Sequence, residues 1–276
     1  MPPTLTLSWA SAFRFGRRCP AGLAGAIALT LAGCAAPGPD ASQGQSLSGH
    51  LNEWAARSHV CAVALAQIRN RQLDRVDTAS TCDASQGVRA DTLFQAASLG
   101  KSVFAYAVLK LVQQGRLDLD APLMRYLPQG YRHRYQPLQA EPSEWVTDVR
   151  IQGLTARQVL QHTTGLPNWA SGPLRFEAEP GARWSYSGEG FVLLQRAVEA
   201  ITGQALDLFM NEQVFVPLGM QHSAYAWDEA MAPDFLPGTK ANGSPRKTLK
   251  LTTPFAAFTL YTSAADYARF LVALLN

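Results

Sequence analysis

Ser98-Leu99-Gly100-Lys101 opens the most apolar helical run of the chain, Val103-Phe104-Ala105-Tyr106-Ala107-Val108-Leu109-Lys110-Leu111-Val112. The run is apolar on nearly every side, which predicts a helix buried all round, and Gly115 supplies its stop. A serine hydroxyl is a weak nucleophile at neutral pH and needs a base beside it. Residues three apart share a helix face, so Lys101 is expected one turn from Ser98. Desolvation at the head of such a helix disfavours the charged ammonium and lowers its pKa toward a value at which it accepts a proton. The plainer alternative is an N-cap serine followed by a first-turn lysine.

The Ser-x-x-Lys spacing occurs twice, so context has to choose. Ser244-Pro245-Arg246-Lys247 follows Asn242-Gly243 and carries a proline, which predicts a turn with no buried helix behind it. The context of Ser98 includes a second constellation downstream, Trp184-Ser185-Tyr186-Ser187-Gly188-Glu189-Gly190-Phe191. Glu179-Pro180-Gly181 opens the loop before it. Phe191 to Ile201 reads as a helix stopped by Gly203. A tyrosine held at that helix entry can point its hydroxyl into a cleft.

With these motifs the chain resembles the serine beta-lactamase and penicillin-binding-protein superfamily, in its class C-like serine hydrolase and esterase group. Further matching segments run from Ile151 to Pro167, over Val214-Phe215-Val216-Pro217-Leu218-Gly219-Met220, and from Thr262 to Leu271. The resemblance covers roughly residues 54 to 276. It implies an α/β (α+β) fold in which an antiparallel sheet is flanked by helices, with an all-helical lobe and the active site between them. It implies that Ser98 is acylated while Lys101 and Tyr186 handle its proton, and that Ser187 and Gly188 lie at the substrate. Many relatives carry Asn where this chain has Gly188. The missing side-chain amide tilts the expected substrate from a beta-lactam toward an ester or peptide. The Ser98 N–H is the expected oxyanion donor, because helix N-termini present unpaired donors.

A different serine hydrolase geometry, the nucleophile elbow, needs a strand, a sharp turn and a helix around Ala96-Ala97-Ser98-Leu99-Gly100. Only one hairpin is readable before Ser98, and no His-Gly-Gly-Gly oxyanion segment occurs. His162 and His222 follow at suitable separations, but each falls in a segment shared with the superfamily; His162 reads as a loop residue supporting the cleft.

The rest of the composition bounds the function. A chain of 276 residues, 47% hydrophobic and 16% charged, can bury a substantial core in one domain. The net charge of +3 comes from Arg14, Arg17 and Arg18; without them 21 basic residues face 21 acidic ones. That balance leaves no electrostatic footprint for nucleic acid. The three arginines precede an apolar stretch, Ala21 to Leu31, too short to span a bilayer, which predicts an export signal over residues 1–33. Leu31-Ala32-Gly33-Cys34 resembles a bacterial lipobox, implying lipidation of Cys34 and a mature chain that starts there. Residues 34–50 then read as a flexible tether and 51–276 as the hydrolase domain, lipid-anchored on the periplasmic or cell-surface side.

Export gives Cys61 and Cys82 an oxidising context. Cys61 to Ile68 and Gln72 to Thr81 read as a hairpin across Asn70-Arg71, with residue 61 opposite 80. The two cysteines are near but not opposed, so a Cys61–Cys82 disulfide and two free thiols both stay open. No spacing suits a metal, and no cofactor is expected. A helix around Leu51, Trp54 and Ala55, a capping box at Thr155-Ala156-Arg157-Gln158 and a helix over Ser263 to Leu275 complete the elements.

Superfamily relatives carry a third motif on a strand after that last helix. Lys247-Thr248-Leu249 lacks its glycine and precedes the helix. The resemblance therefore leads to the expectation of an incomplete domain, lacking C-terminal strands and one oxyanion donor. Two function classes follow. One is an exported, monomeric serine acyl hydrolase acting on an ester, peptide, beta-lactam or peptidoglycan-like acyl substrate; the other is a noncatalytic cell-wall or ligand-binding protein, or an inactive fragment, on the same scaffold.

Overall fold

The computed structural model describes residues 42–81, 87–135 and 143–276; the export signal and Cys34 lie outside them. The first element, α1 (Ser42–Arg57), includes residues 42–50, which the sequence had placed in the tether. It buries Ala55 and leaves Trp54 half exposed.

Next come β1 (Ala62–Arg69) and β2 (Gln72–Ser80), an antiparallel hairpin. Asn70 and Arg71 both have positive φ, 50° and 61°, the twist a two-residue turn needs. An irregularity between Gln67 and Ile68 shifts the far half by one residue, so Ala62 faces Ser80 and Thr81 N–H donates to the Cys61 carbonyl. This corrects the expected pairing of 61 with 80, because an alternation pattern does not reveal a bulge. Cys61 is disulfide-bonded; Cys82 lies outside the described residues.

A strand not foreseen in the sequence, β3 (Phe94–Ala97), leads directly to Ser98. The helix that follows, α2 (Gly100–Gln113), begins two residues after the serine, with Leu99 at its N-cap, and Gly115 beyond its end has φ 69°. It is not buried all round. Val103, Phe104, Ala107, Val108 and Leu111 face the core, whereas Leu109 is 48% exposed. The apolar outer positions raised its hydrophobicity without being covered.

Between α2 and the second half of the chain lie a short hairpin, β4 (Arg132–Arg134) with β5 (Ser143–Trp145), and α3 (Ala156–Leu160). Thr155 and Gln158 form the expected capping box, each side chain accepting the other's backbone N–H. Then α4 (Gly188–Thr202) starts at the Ser187 cap and stops at Gly203, φ 70°. The helix α5 (Leu206–Met210) continues through a π-helical turn, Asn211–Phe215, into α6 (Val216–Leu218).

The strands β6 (Ser223–Ala224) and β7 (Leu260–Thr262) close the second sheet, whose order is β3-β7-β6, antiparallel throughout. Gly100 lets α2 press onto it: a Cβ there would lie 2.9 Å from Leu260 Cβ, and Tyr225 Oη donates to the Gly100 carbonyl. The last helix, α7 (Ala264–Leu275), is capped by Ser263 and packs on β1 and β2. Among the described residues the antiparallel strands thus form a three-stranded sheet and two separate hairpins.

One core joins α2, α4 and α5 through Phe104, Leu111, Leu193, Phe209 and Phe255. A smaller cluster of Leu93, Trp227, Phe235, Leu251 and Tyr261 packs beside the sheet. No helix among the described residues is long and apolar enough to cross a membrane.

Candidate active site

Ser98 sits in the turn between β3 and α2, directly after Ala97, whose φ is +48°. A non-glycine residue in that region costs on the order of 1–3 kcal/mol, and such strain persists only where the surroundings over-determine it. Here the pairing of Ala97 with Leu260 and the packing of Gly100 on β7 clamp both sides. The strand and sharp turn that the sequence does not reveal are therefore present ahead of the expected helix. The sequence hid them because a four-residue strand, Phe94-Gln95-Ala96-Ala97, has no readable alternation.

Lys101 is 6% exposed, with Nζ 3.3 Å from Ser98 Oγ. The same Nζ donates to the Ala257 carbonyl at 2.5 Å, and Ser98 Oγ points at that carbonyl from 3.4 Å. Burial pushes the Lys101 pKa below 10.5, partly opposed by the Tyr186 hydroxyl. The Tyr186 ring lies 4.7 Å below Nζ and Phe191 5.5 Å away, so two aromatic faces line the ammonium. Burial raises the Tyr186 pKa, but its interactions with Lys101 and Ser98 more than offset this, leaving the phenol below 10.0. The three side chains expected from the sequence, Ser98, Lys101 and Tyr186, are thus brought together.

Loop contacts hold Tyr186 in place. His162, at φ 57°, stacks on it at 4.5 Å between ring centroids, and His162 Nδ1 accepts the Ser187 N–H at 3.0 Å. That acceptor role puts the ring proton of the neutral imidazole on Nε2. Burial and the Lys101 charge hold the His162 pKa below 6.5. Ser185 N–H donates to the His162 carbonyl and Gly181 N–H to that of Thr163. Gly165 takes φ 75° where a Cβ would fall 2.1 Å from the Ala178 carbonyl oxygen. His222 is elsewhere, its Nε2 3.7 Å from Asp91.

Ser187 and Gly188, expected from the resemblance to lie at the substrate, are both tied to the backbone of residues 167 and 168. Ser187 is buried; its hydroxyl accepts the Gly190 N–H and donates to the Pro167 carbonyl. It caps α4, and its one hydroxyl proton is committed to the Pro167 carbonyl. Gly188 is buried too, its N–H donating to Asn168 and its Cα covered by the Trp169 indole. The first-turn carboxylate of Glu189 accepts the Ala170 N–H and faces buried His133 at 3.3 Å. The loop Pro167–Ala170 was not singled out in the sequence, and its only signal was proximity to the Thr164-Gly165-Leu166-Pro167 segment.

The second Ser-x-x-Lys is a turn: Ser244 N–H and Oγ both bond Asn242 Oδ1, and Lys247 is exposed in irregular chain. No cluster of three or more metal-ligating side chains occurs among the described residues. Concavities of about 480 and 870 Å³ lie around Trp145 and Trp227, and Ser98 lines neither.

The Beta-lactamase family model matches residues 54–276. Esterase EstB of Burkholderia gladioli is 33% identical over 175 residues, 52% of this chain and 41% of its own length. A putative D-alanyl-D-alanine carboxypeptidase of Escherichia coli is 25% identical over 179 residues, covering 56% and 39%. The chain spans a third to a half of the length of the curated relatives it matches. Among solved structures, D-alanine carboxypeptidase AmpC from Burkholderia cenocepacia superposes with TM-score 0.67 at 20% identity, over 84% of this chain and 64% of the other. The octameric penicillin-binding protein homologue from Pyrococcus abyssi gives 0.62 at 20%, over 83% and 55%. These two likenesses concern the fold, a mixed α/β arrangement with antiparallel sheets of the beta-lactamase/transpeptidase type.

Proposed function

The chain belongs to the Beta-lactamase family, whose members are serine hydrolases, and from that premise we propose that it is an exported serine acyl hydrolase working through an acyl-Ser98 intermediate on an ester. The observation that carries this reading is the placement of Lys101 Nζ 3.3 Å from Ser98 Oγ in a buried setting that lowers the lysine pKa.

In the first half-reaction Ser98 Oγ bonds to the carbonyl carbon and its proton passes to the Lys101–Tyr186 pair. The pair returns that proton to the leaving oxygen as the ester C–O bond breaks, releasing the alcohol. Water then attacks the acyl carbon and gives its proton to the same pair; Ser98 regains it as the acid departs. A base and a nucleophile held within hydrogen-bond reach before substrate arrives avoid the entropy of assembling them. The Ser98 N–H is the proposed oxyanion donor. Gly188, which offers no side-chain amide, favours an ester or peptide over a beta-lactam, and the resemblance to esterase EstB supports the ester.

Treatment with a fluorophosphonate, followed by mass spectrometry of the tryptic peptides, tests the reading. An adduct on Ser98 that is lost in Ser98→Ala is expected. An unlabelled Ser98 would favour a noncatalytic ligand-binding protein on this scaffold. The proposal extends to a monomer held at the outer face of a bacterial membrane by lipid on Cys34. Cys34→Ser should release the protein or block its processing. Size-exclusion chromatography distinguishes the monomer from an octamer like that of the Pyrococcus relative.

A further inference from the structure

Three consecutive residues at the start of α4 hold one exposed aromatic in place. Ser187 Oγ donates to the Pro167 carbonyl at 2.9 Å. Gly188 N–H is shared between the Asn168 carbonyl and Oδ1, each at 3.1 Å, and Glu189 N–H also reaches that carbonyl. Glu189 Oε1 takes the Ala170 N–H at 2.9 Å. Both neighbours of Trp169 are thereby fixed to the helix, while its indole remains 41% exposed. That indole lies over Gly188 so closely that a Cβ there would be 2.9 Å from two of its ring carbons and 2.7 Å from the Asn168 carbonyl oxygen. Position 188 is bare because Trp169 occupies its space.

The indole also reaches the catalytic serine's surroundings from the other side. It meets the Phe258 ring edge-on at 5.0 Å, and Phe258 follows Ala257, whose carbonyl receives Lys101 Nζ and faces Ser98 Oγ. Phe255 stacks behind Phe258 at 5.3 Å. An apolar surface thus borders the site between Gly188, two residues from Tyr186, and Ala257.

We propose that Trp169, backed by Phe258, is the specificity-determining wall of this site and selects esters whose acyl group is apolar and carries no amide. The inference rests on the hydrolase reading and narrows its substrate class. The acyl part stays bonded to Ser98 through both half-reactions, so a wall fixed in advance favours an apolar group in each without ordering cost. An acyl group with an amide beside its carbonyl would set a donor and an acceptor against indole and phenyl carbon and lose its hydration unpaired.

The test compares kcat/KM for the p-nitrophenyl esters of phenylacetate and N-acetylglycine, which share one leaving group. Phenylacetate is expected to be preferred, and Trp169→Ala to lower the phenylacetate to N-acetylglycine ratio on the order of 10-fold or more, the scale on which apolar pockets discriminate. Trp169→Phe should recover most of the preference, and thermal unfolding verifies that each variant is folded. Should Trp169→Ala not fold, Phe258→Ala carries the same expectation. A ratio within twofold of the parent's in the folded variant, with Ser98 still labelled by fluorophosphonate, would overturn this inference alone. A parent that hydrolyses neither ester and takes no label on Ser98 overturns the hydrolase reading and this one with it.

Discussion

The imidazole of His162 stacks on the ring of Tyr186 at 4.5 Å with an interplanar angle of 27°, while its Nδ1 accepts the next residue's backbone N–H. One side chain therefore sets both the plane of the proposed proton carrier and the start of α4. It acts through Tyr186 and is a positioning residue.

His162→Ala is expected to slow acylation about 10- to 100-fold with a smaller change in KM, as displacing a reacting group by an ångström or less does. Neutral imidazole is required, since protonated Nδ1 cannot accept. The His162 pKa lies below its ordinary 6.5, so the stability it contributes is complete above that value and is lost as pH falls through the lower folded value. Thermal unfolding and acylation rates between pH 4 and 8 should fall together on that limb. A parallel limb persisting in His162→Phe would exclude this residue as its source.

Lys101→Met should reduce acylation by about 10²–10⁴ and leave the fold intact with an equal or higher Tm. Its folded pKa is lowered, so the unfolded chain binds the extra proton and folding is opposed as pH falls below the ordinary 10.5. The Ala257 carbonyl keeps Ser98 Oγ as a neighbour when the ammonium is gone. In the parent, kcat/KM should rise with pH along a limb centred below 10.5. Stopped-flow acylation of an activated ester across that range, with differential scanning calorimetry of the variant, checks both halves.

Gly165→Ala places a methyl group on the Ala178 carbonyl oxygen at a φ of 75°. Strain in the left-handed region and overpacking together should cost about 3 kcal/mol, read as a lowered denaturation midpoint in urea. Since Gly165 O also receives the Glu177 N–H, acylation should fall with stability. A variant as stable as the parent would show that the loop moves aside easily.

Asp266 is fully buried in the first turn of α7 and accepts the His222 N–H, the Ser223 hydroxyl and the Arg269 guanidinium. Asp266→Ala removes the acceptor of the half-buried His222 N–H and of the Arg269 guanidinium, leaving the Ser223 hydroxyl only Thr262, and should cost about 3 kcal/mol, because removing one partner of a buried charged network strands the others. Arg269→Ala, on the half-exposed side, should cost under about 1 kcal/mol. Equal losses for the two variants in a chemical melt would contradict this division.

Much of this molecule is local and could be read along the chain. The capping box at Thr155 and Gln158, the stop at Gly203 and the last helix after Ser263 depend on residues within one or two turns, so the sequence alone located them. The proximity of Lys101 to Ser98 is likewise short-range, and Tyr186 was recognisable through its motif. Three features required the tertiary structure. The strand β3 exists because β7, contributed from residue 260 onward, supplies its hydrogen bonds, and the strain at Ala97 is held by that pairing. The hairpin register turned on a bulge that no alternation of side chains announces. The hydrogen bonds and close packing of Ser187 and Gly188 come from Pro167, Asn168 and Trp169, some 20 residues away. A residue's free hydrogen-bonding capacity depends on which distant groups reach it, and packing alone decides that.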